Sequence, residues 1–219
     1  MSAEEISIFR SCVGIALHLA SGRWDIQREV QLLTMHVREP KELDRRRLVK
    51  LVRYLKGTRE YGQRLVKPIH SEKGVAVLDM FSDSDFAGCL ETRRATSCGT
   101  FLVDGVTVYM SSRRQGVQST SSAEAELYAA SITVFEGRLL NNFPEWVGLH
   151  VPYRLHVDSV AAKAVVQRDG VGKIKHLDVR VPWLQAEREL HGLKCLKVPG
   201  EWSLSDLGTK AIPVARCQW

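Results

Sequence analysis

The sequence predicts an α/β fold, in which a mixed five-stranded sheet is flanked by helices and preceded by an N-terminal helical segment. Three observations support this prediction. Apolar residues recur at helical spacing over residues 3–56. From residue 75 onward, short apolar stretches typical of strands alternate with longer amphipathic ones. Between two of the short stretches, Asp104-Gly105 is the signature of a tight hairpin. A meander followed by crossover units gives a mixed sheet with helices on its faces.

Composition narrows the class of protein. The chain has 219 residues, 44% of them hydrophobic, which is enough for a packed core. The formal net charge of +6 suits a polyanionic partner such as nucleic acid. Five scattered cysteines without a CxxC pair indicate neither a zinc site nor a disulfide framework. No apolar run is long enough for a bilayer, and the N-terminus lacks the features of a signal peptide. We therefore expect an intracellular protein, not secreted and without a membrane partner.

The first domain is predicted to cover residues 1–70 and to be helical. Its helices are expected at 3–20, 24–37 and 42–56. The third has a strongly basic face, which either follows a phosphate backbone or is simply solvated. Residues 57–74 are polar with Gly and Pro, so a boundary is expected near His70 and the second domain over 71–219.

The second domain is predicted to hold five strands and four helices. The strands are expected at 75–82, 98–103, 106–112, 153–158 and 193–198. The helices are expected at 121–142, 159–167, 175–191 and 205–212. Ser121 and Glu124 form a capping box at the start of the first of these helices. Pro182 marks either a kink or the true start of the third helix.

Four carboxylates fall at ends of the predicted elements. Asp83 follows the first strand, Glu126 lies in the first turns of a helix, Asp158 ends the fourth strand, and Asp206 begins the last helix. Several acids on rigid elements are what a two-metal nuclease needs, because hard divalent cations prefer carboxylate oxygens. The set therefore predicts a metal centre that cuts a nucleic-acid backbone.

Each of these acids also has a structural interpretation. Asp83, or its neighbour Asp85, is equally typical of a turn cap. Asp158 and Asp206 suit the start of a helix. Glu126 lies on an alanine-rich face, where a buried acid needs a partner. Only the four together favour a catalytic site.

These residues lie in motifs that resemble the ribonuclease H domain of copia-type LTR retrotransposon Pol polyproteins. The matching blocks are FSDSDFAG with TRRATSCG (81–99), STSSAEAELYAA (119–130), HVDS (156–159), KIKHLDVRVPWL (173–184) and VPGEWSLSDLGTKAI (198–212). RYLKGTREYG (53–62) resembles the join between reverse transcriptase and ribonuclease H. The blocks span most of the chain in the family's order.

The resemblance implies an RNase H-like fold and a metal-dependent endonuclease that cuts the RNA strand of RNA/DNA hybrids. It assigns catalysis and metal binding to Asp83, Glu126, Asp158 and Asp206, with two Mg²⁺ ions, or Mn²⁺ in their place. It also implies the reverse transcriptase portion of the same polyprotein as a partner, and a cytoplasmic particle or the nucleus as the location. The residues expected to contact nucleic acid are Ser84, Arg94, Thr120, Ser159, Lys175 and Arg180.

The sequence departs from the family pattern at a few positions. Met110 stands where the family usually has Trp, and Gly208 and Ala211 replace a Leu and a Pro. None of these departures removes an acid. Two alternatives stay open: a catalytically decayed or domesticated nucleic-acid-binding module of the same fold, and a related nuclease that acts on DNA. The fold alone does not decide between them.

Overall fold

A computed structural model describes residues 1–63, 65, 76–89, 91–170 and 179–211. The chain divides into two compact units, a helical one over Met1–Arg64 and a sheet-containing one over Leu65–Lys210. Each unit has its own hydrophobic core. The position predicted for the domain boundary, near residue 70, lies outside the described residues.

The helical unit contains α1 (Ala3–Ala20), α2 (Gln27–Met35) and α3 (Glu42–Gly57). The predicted second helix begins as a 3-10 turn, Trp24–Ile26, and continues as α2. A capping box starts α1, since Ser2 Oγ accepts from Glu5 N at 3.2 Å and Glu5 Oε2 accepts from Ser2 N at 2.6 Å. The core is built from the apolar faces of all three helices, including Phe9, Val13, Leu33 and Leu51.

The sheet-containing unit has five strands: β1 (Leu78–Asp85), β2 (Thr96–Val103), β3 (Val106–Arg114), β4 (Tyr153–Val157) and β5 (Lys194–Lys197). Their order across the sheet is β3-β2-β1-β4-β5. The β1–β2 and β2–β3 pairs are antiparallel, whereas β1–β4 and β4–β5 are parallel. This is the predicted mixed sheet of the RNase H type, so the fold class is confirmed. The hairpin turn has positive φ at both Asp104 and Gly105, as its sequence requires.

Four helices accompany the sheet: α4 (Ser122–Trp146), α5 (Val160–Gln167), α6 (Arg180–His191) and α7 (Asp206–Thr209). Helix α4 packs across β1 and β2. It approaches β1 closely, because a Cβ on Gly137 would lie 2.1 Å from Met80 Sδ. The core between helices and sheet includes Met80, Phe101, Leu127, Leu155 and Leu184. Within the described part of the chain, no helix combines the length and apolarity needed to cross a membrane.

Several predicted bounds differ from the structure, and three of the differences are informative. Strand β1 continues to Asp85, because Asp83 to Asp85 pair with β2 although they are polar. Helix α6 begins at Arg180, which favours the predicted alternative that Pro182 marks the start of the helix, since a missing N–H is tolerated in the first turn; residues 175–178 of the predicted helix lie outside the described residues. Helix α7 has only four residues, and Ser205 does not cap it with its side chain, because that hydroxyl donates to the Phe81 carbonyl at 2.7 Å.

Candidate metal centre

Three carboxylates converge where β1 and β4 run side by side. Ser82 pairs with Val157 in this parallel pair, so the next residues along, Asp83 and Asp158, lie next to each other. Glu126 reaches the same place from the second turn of α4, which packs over β1. One oxygen from each of the three carboxylates lies within 4.8 Å of the others. Three separate elements therefore bring their acids to a single point.

The start of α4 is fixed by its own hydrogen bonds, which leave Glu126 for the cluster. Ser121 Oγ accepts from Glu124 N at 3.2 Å, as predicted. The Glu124 carboxylate, however, accepts from the N–H of Thr120 at 2.6 Å rather than from that of Ser121. The buried Gln115 side chain donates to the Ala125 carbonyl at 3.0 Å and ties the preceding loop to the helix. The Glu124 carboxylate therefore caps the helix, and Glu126 is the acid of this helix that faces Asp83 and Asp158.

The cluster is electrostatically strained when it holds no cation. Burial, together with Asp83 and Asp158, raises the pKa of Glu126 to about 8. Burial also raises the pKa of Asp83 to about 6, although the Thr209 hydroxyl and Lys210 oppose this shift. Glu126 Oε2 is fully buried and accepts no hydrogen bond from any described donor. Negative charge in such a place needs a compensating positive charge.

This donor set fits a divalent cation. The ligands are carboxylate oxygens on rigid elements, which is the chemistry that Mg²⁺ and Mn²⁺ prefer. An ion at this point would also give the buried Glu126 Oε2 a partner. The residues that could hold it are Asp83, Glu126 and Asp158.

Asp206 lies beside this cluster but is not one of its three members. Between it and Asp83 stands Lys210, whose Nζ is 2.7 Å from Asp206 Oδ1 and 3.4 Å from Asp83 Oδ2. The Thr209 hydroxyl donates to the same Asp83 oxygen. Sequence reasoning took only Asp206 from the SDLGTK segment and missed Thr209 and Lys210. The signal was present, since Asp206 and Lys210 have the i,i+4 spacing of a helical ion pair.

The residues predicted to contact nucleic acid fall into different surroundings. Ser84 is buried in β1 beside Glu126, whereas Arg94 and Thr120 are exposed. Ser159 Oγ caps α5 by accepting from Ala162 N at 3.1 Å. The Arg180 guanidinium lies over the Tyr128 ring, 4.2 Å from its centroid. Lys175 lies outside the described residues.

Met110 and Gly208, two of the residues that depart from the family pattern, lie close together. A Cβ on Gly208 would lie 2.4 Å from Cys98 Sγ and 3.0 Å from Met110 Cε. Ser112 Oγ also donates to the Gly208 carbonyl at 2.6 Å. Met110 and Gly208 are both smaller than the Trp and Leu typical of the family, so the backbone of α7 lies directly on β2 and β3.

Fold and site together define this chain as an RNase H-like protein with a carboxylate cluster suited to a divalent metal. No protein-family model matches the chain. Over 132 residues, 59% of the chain, it is 38% identical to the uncharacterized mitochondrial protein AtMg00810 of Arabidopsis thaliana, of which it covers 52%. Over 139 residues, 63% of the chain, it is 30% identical to the retrovirus-related Pol polyprotein from transposon TNT 1-94 of Nicotiana tabacum, of which it covers 10%. The solved structure of LC11-RNase H1, isolated from compost by a metagenomic approach, is 16% identical, with a TM-score of 0.44 over 59% of this chain and 90% of that one.

Retrovirus-related Pol polyproteins of copia-type transposons are thus among the relatives of the chain, and the resemblance that the motifs predicted is confirmed. It spans about half of the first relative and a tenth of the second. What those longer proteins do is therefore carried to this chain only as a proposal.

Proposed function

We propose that the chain is a metal-dependent endonuclease that cleaves the RNA strand of RNA/DNA hybrids during reverse transcription of a retrotransposon. The observation that carries this proposal is the convergence of Asp83, Glu126 and Asp158 within 4.8 Å. One Glu126 oxygen is buried without a described donor, and a cation bound between the three acids would give it a partner. Similarity to retrovirus-related Pol polyproteins supports the choice of substrate.

In this proposal the chain's residues provide position and charge. Asp83, Glu126 and Asp158 would hold divalent metal, Mg²⁺ or Mn²⁺, with Asp206 as the fourth carboxylate. Bound divalent ions supply an activated water and stabilise the leaving oxygen in phosphodiester hydrolysis. Lys197 Nζ, which donates to the carbonyl of Asp158 and lies 3.1 Å from that of Val198, fixes the backbone that carries one ligand. The rigid strands keep the carboxylates together despite their repulsion.

The proposed substrate contacts are the six residues predicted from the sequence. Ser84, Thr120 and Ser159 are close in sequence to the acids, and selectivity for a hybrid needs contacts to the 2′-hydroxyl groups of RNA. Arg94, Lys175 and Arg180 are proposed to bind phosphates. The helical segment 1–70 would join this domain to the reverse transcriptase portion of the same polyprotein, with residues 71–219 as the nuclease domain.

The test is cleavage of an RNA/DNA hybrid labelled on the RNA strand, in Mg²⁺, by the full chain and by Asp83→Asn. We expect cleavage by the wild-type chain and a loss of at least about a hundredfold in Asp83→Asn, since a metal ligand is removed. Asp169→Asn is the matched control, because the Asp169 side chain is 89% exposed and pairs with Arg188, outside the carboxylate cluster. Double-stranded DNA and single-stranded RNA serve as substrate controls.

Each other result selects a different function. Binding of the hybrid by both proteins without cleavage would replace the enzyme by a decayed or domesticated nucleic-acid-binding module. Cleavage of duplex DNA in preference to the hybrid would indicate the DNA nuclease. Equal cleavage by the wild type and Asp83→Asn would remove the carboxylate cluster from the mechanism.

A further inference from the structure

Lys210 occupies a position that a cation would be expected to fill. Its ammonium group is 2.7 Å from one Asp206 oxygen and 3.4 Å from one Asp83 oxygen. The carboxylates on either side are buried, with side chains 2% and 6% exposed, but the Lys210 side chain is 47% exposed. Fixed anions therefore flank a cation that has access to solvent.

We propose that Lys210 is an internal counter-ion that holds the place between Asp83 and Asp206 and must leave it before a second divalent ion can bind there. This inference rests on the divalent-metal site of the proposed function and deepens it. It makes Lys210 a positioning residue that sets the affinity and order of metal binding.

Charge supports this order of binding. When ionised, Asp83, Glu126, Asp158 and Asp206 carry four negative charges, and Lys210 balances one of them. A first divalent ion among Asp83, Glu126 and Asp158 leaves Lys210 in place and the site close to neutral. A second divalent ion beside Lys210 would face a positive charge a few ångströms away, and at this half-exposed position water screens the repulsion only in part. Departure of the ammonium removes the repulsion and frees Asp206.

The local structure allows Lys210 to leave. It follows the last residue of the four-residue α7, and its backbone is already extended, with φ −117° and ψ 152°. A long, flexible side chain with almost half of its surface exposed reaches water by rotation about its own bonds. By contrast, Asp206 and Thr209 are buried within α7, and Thr209 holds Asp83 by a hydrogen bond.

The experiment measures metal binding rather than cleavage. The full chain, freed of metal, is titrated with Mn²⁺ by calorimetry and by the electron paramagnetic resonance signal of unbound Mn²⁺. For the wild-type chain we expect one tight and one weaker site. In Lys210→Met the weaker site is expected to tighten by about tenfold or more, since a unit positive charge within about 4 Å is removed. The tight site should change much less.

Two further variants complete the design. Lys56→Met removes the same charge from the exposed end of α3, in the helical unit, and should leave both Mn²⁺ affinities unchanged. Lys210→Arg keeps the positive charge and should keep the second site weak. If Lys210→Met left both affinities unchanged, or weakened the second site, the inference would be wrong.

Failure of this inference is distinguishable from failure of the proposed function. If the chain cleaves the hybrid but binds Mn²⁺ identically with and without Lys210, the proposed function stands and the counter-ion inference is wrong. If the chain cleaves no hybrid but Lys210→Met gains a tight second Mn²⁺ site, the counter-ion inference stands and the proposed nuclease function is wrong. If neither form binds Mn²⁺, the inference falls together with the metal site.

Discussion

Glu124 and Glu126 lie two residues apart on α4, but their carboxylates differ in the hydrogen bonds that they accept. The Glu124 carboxylate accepts two hydrogen bonds from Thr120, from its N–H at 2.6 Å and its hydroxyl at 2.7 Å. Glu126 faces Asp83 and Asp158 and keeps a buried oxygen that no described donor reaches. The first carboxylate stabilises the start of the helix. The second opposes folding until a cation is bound.

Glu126→Gln is therefore expected to stabilise the metal-free chain. At neutral pH the unfolded chain has an ionised Glu126, whereas burial and the neighbouring acids raise its folded pKa to about 8, so folding must take up a proton. An amide needs no proton, and the expected gain in free energy of unfolding is about 1–3 kcal/mol. Chemical denaturation in a chelator measures it. The same variant should lose most of the stabilisation that Mg²⁺ gives the wild-type chain, because a ligand is missing.

Glu124→Gln is the matched control for this change. It alters the same atoms on the same helix but weakens a cap, so we expect a loss of about 0.5–1 kcal/mol. Its response to Mg²⁺ should resemble that of the wild type. If both substitutions destabilised the chain equally, the burial of Glu126 beside Asp83 and Asp158 would not oppose folding.

Asp25 in the helical unit gives a prediction for pH. Burial raises its pKa, but hydrogen bonds from Arg23 and from the Tyr54 hydroxyl, each at 2.7 Å, outweigh burial and lower the pKa overall. A carboxyl group whose pKa is lower in the folded state stabilises the fold above its unfolded pKa. That contribution disappears as the pH falls through the folded pKa.

We thus expect Asp25→Asn to lower the free energy of unfolding by about 1–3 kcal/mol at pH 7. The difference from the wild type should shrink once the pH falls below about 4, where the wild-type carboxyl is protonated in the unfolded chain. Urea denaturation at several pH values between 7 and 3 provides the measurement. A difference that stayed constant over this range would show that the charge of Asp25 contributes nothing.

At the scale of single elements, α7 is the most constrained. It has four residues, starts with Asp206 and is followed by Lys210. Gly208→Ala would place a methyl group 2.9 Å from Cys98 Cβ, so the helix must move away from β2. We expect a loss of about 1–3 kcal/mol in free energy of unfolding, typical of overpacking. Cleavage should fall as well, because Asp206 and Lys210 move with the helix.

A second glycine gives the control for this substitution. Gly14 lies in the middle of α1, where a Cβ would meet no described atom within 4 Å. Gly14→Ala should raise stability by up to about 1 kcal/mol through helix propensity and leave cleavage unchanged. Wild-type stability and activity in Gly208→Ala would mean that α7 is not held against β2 as described.

Elements with local signals could be predicted from the sequence, and those that depend on distant partners could not. The Asp104-Gly105 hairpin and the start of α4 at Ser121 follow from residues that lie next to one another. The end of β1 was missed because Asp83, Ser84 and Asp85 are residue types typical of a loop, whereas β2 supplies their backbone partners. Lys210 was missed for the same reason, since its link to Asp83 exists only after α7 has packed on the sheet.

For the whole molecule, the relevant fact is that the two units have separate cores. Leu33 lies in the core of the helical unit and Leu155 in that of the sheet-containing unit, and both are fully buried. The carboxylate cluster belongs entirely to the sheet-containing unit. Binding of a metal at the cluster would therefore be linked to the folding of that unit alone.

Leu33→Ala and Leu155→Ala form a matched pair that tests this separation in the full chain. Each deletes the same atoms from a fully buried site and is expected to destabilise its own unit by about 2–5 kcal/mol. Calorimetry should show two transitions, of which Leu33→Ala lowers one and Leu155→Ala the other. Mg²⁺ should raise only the transition that responds to Leu155→Ala, because a ligand stabilises the unit that binds it. A single transition shifted by both substitutions would instead mean that the helical unit and the sheet-containing unit fold as one, and that the helical segment contributes to the stability of the carboxylate cluster.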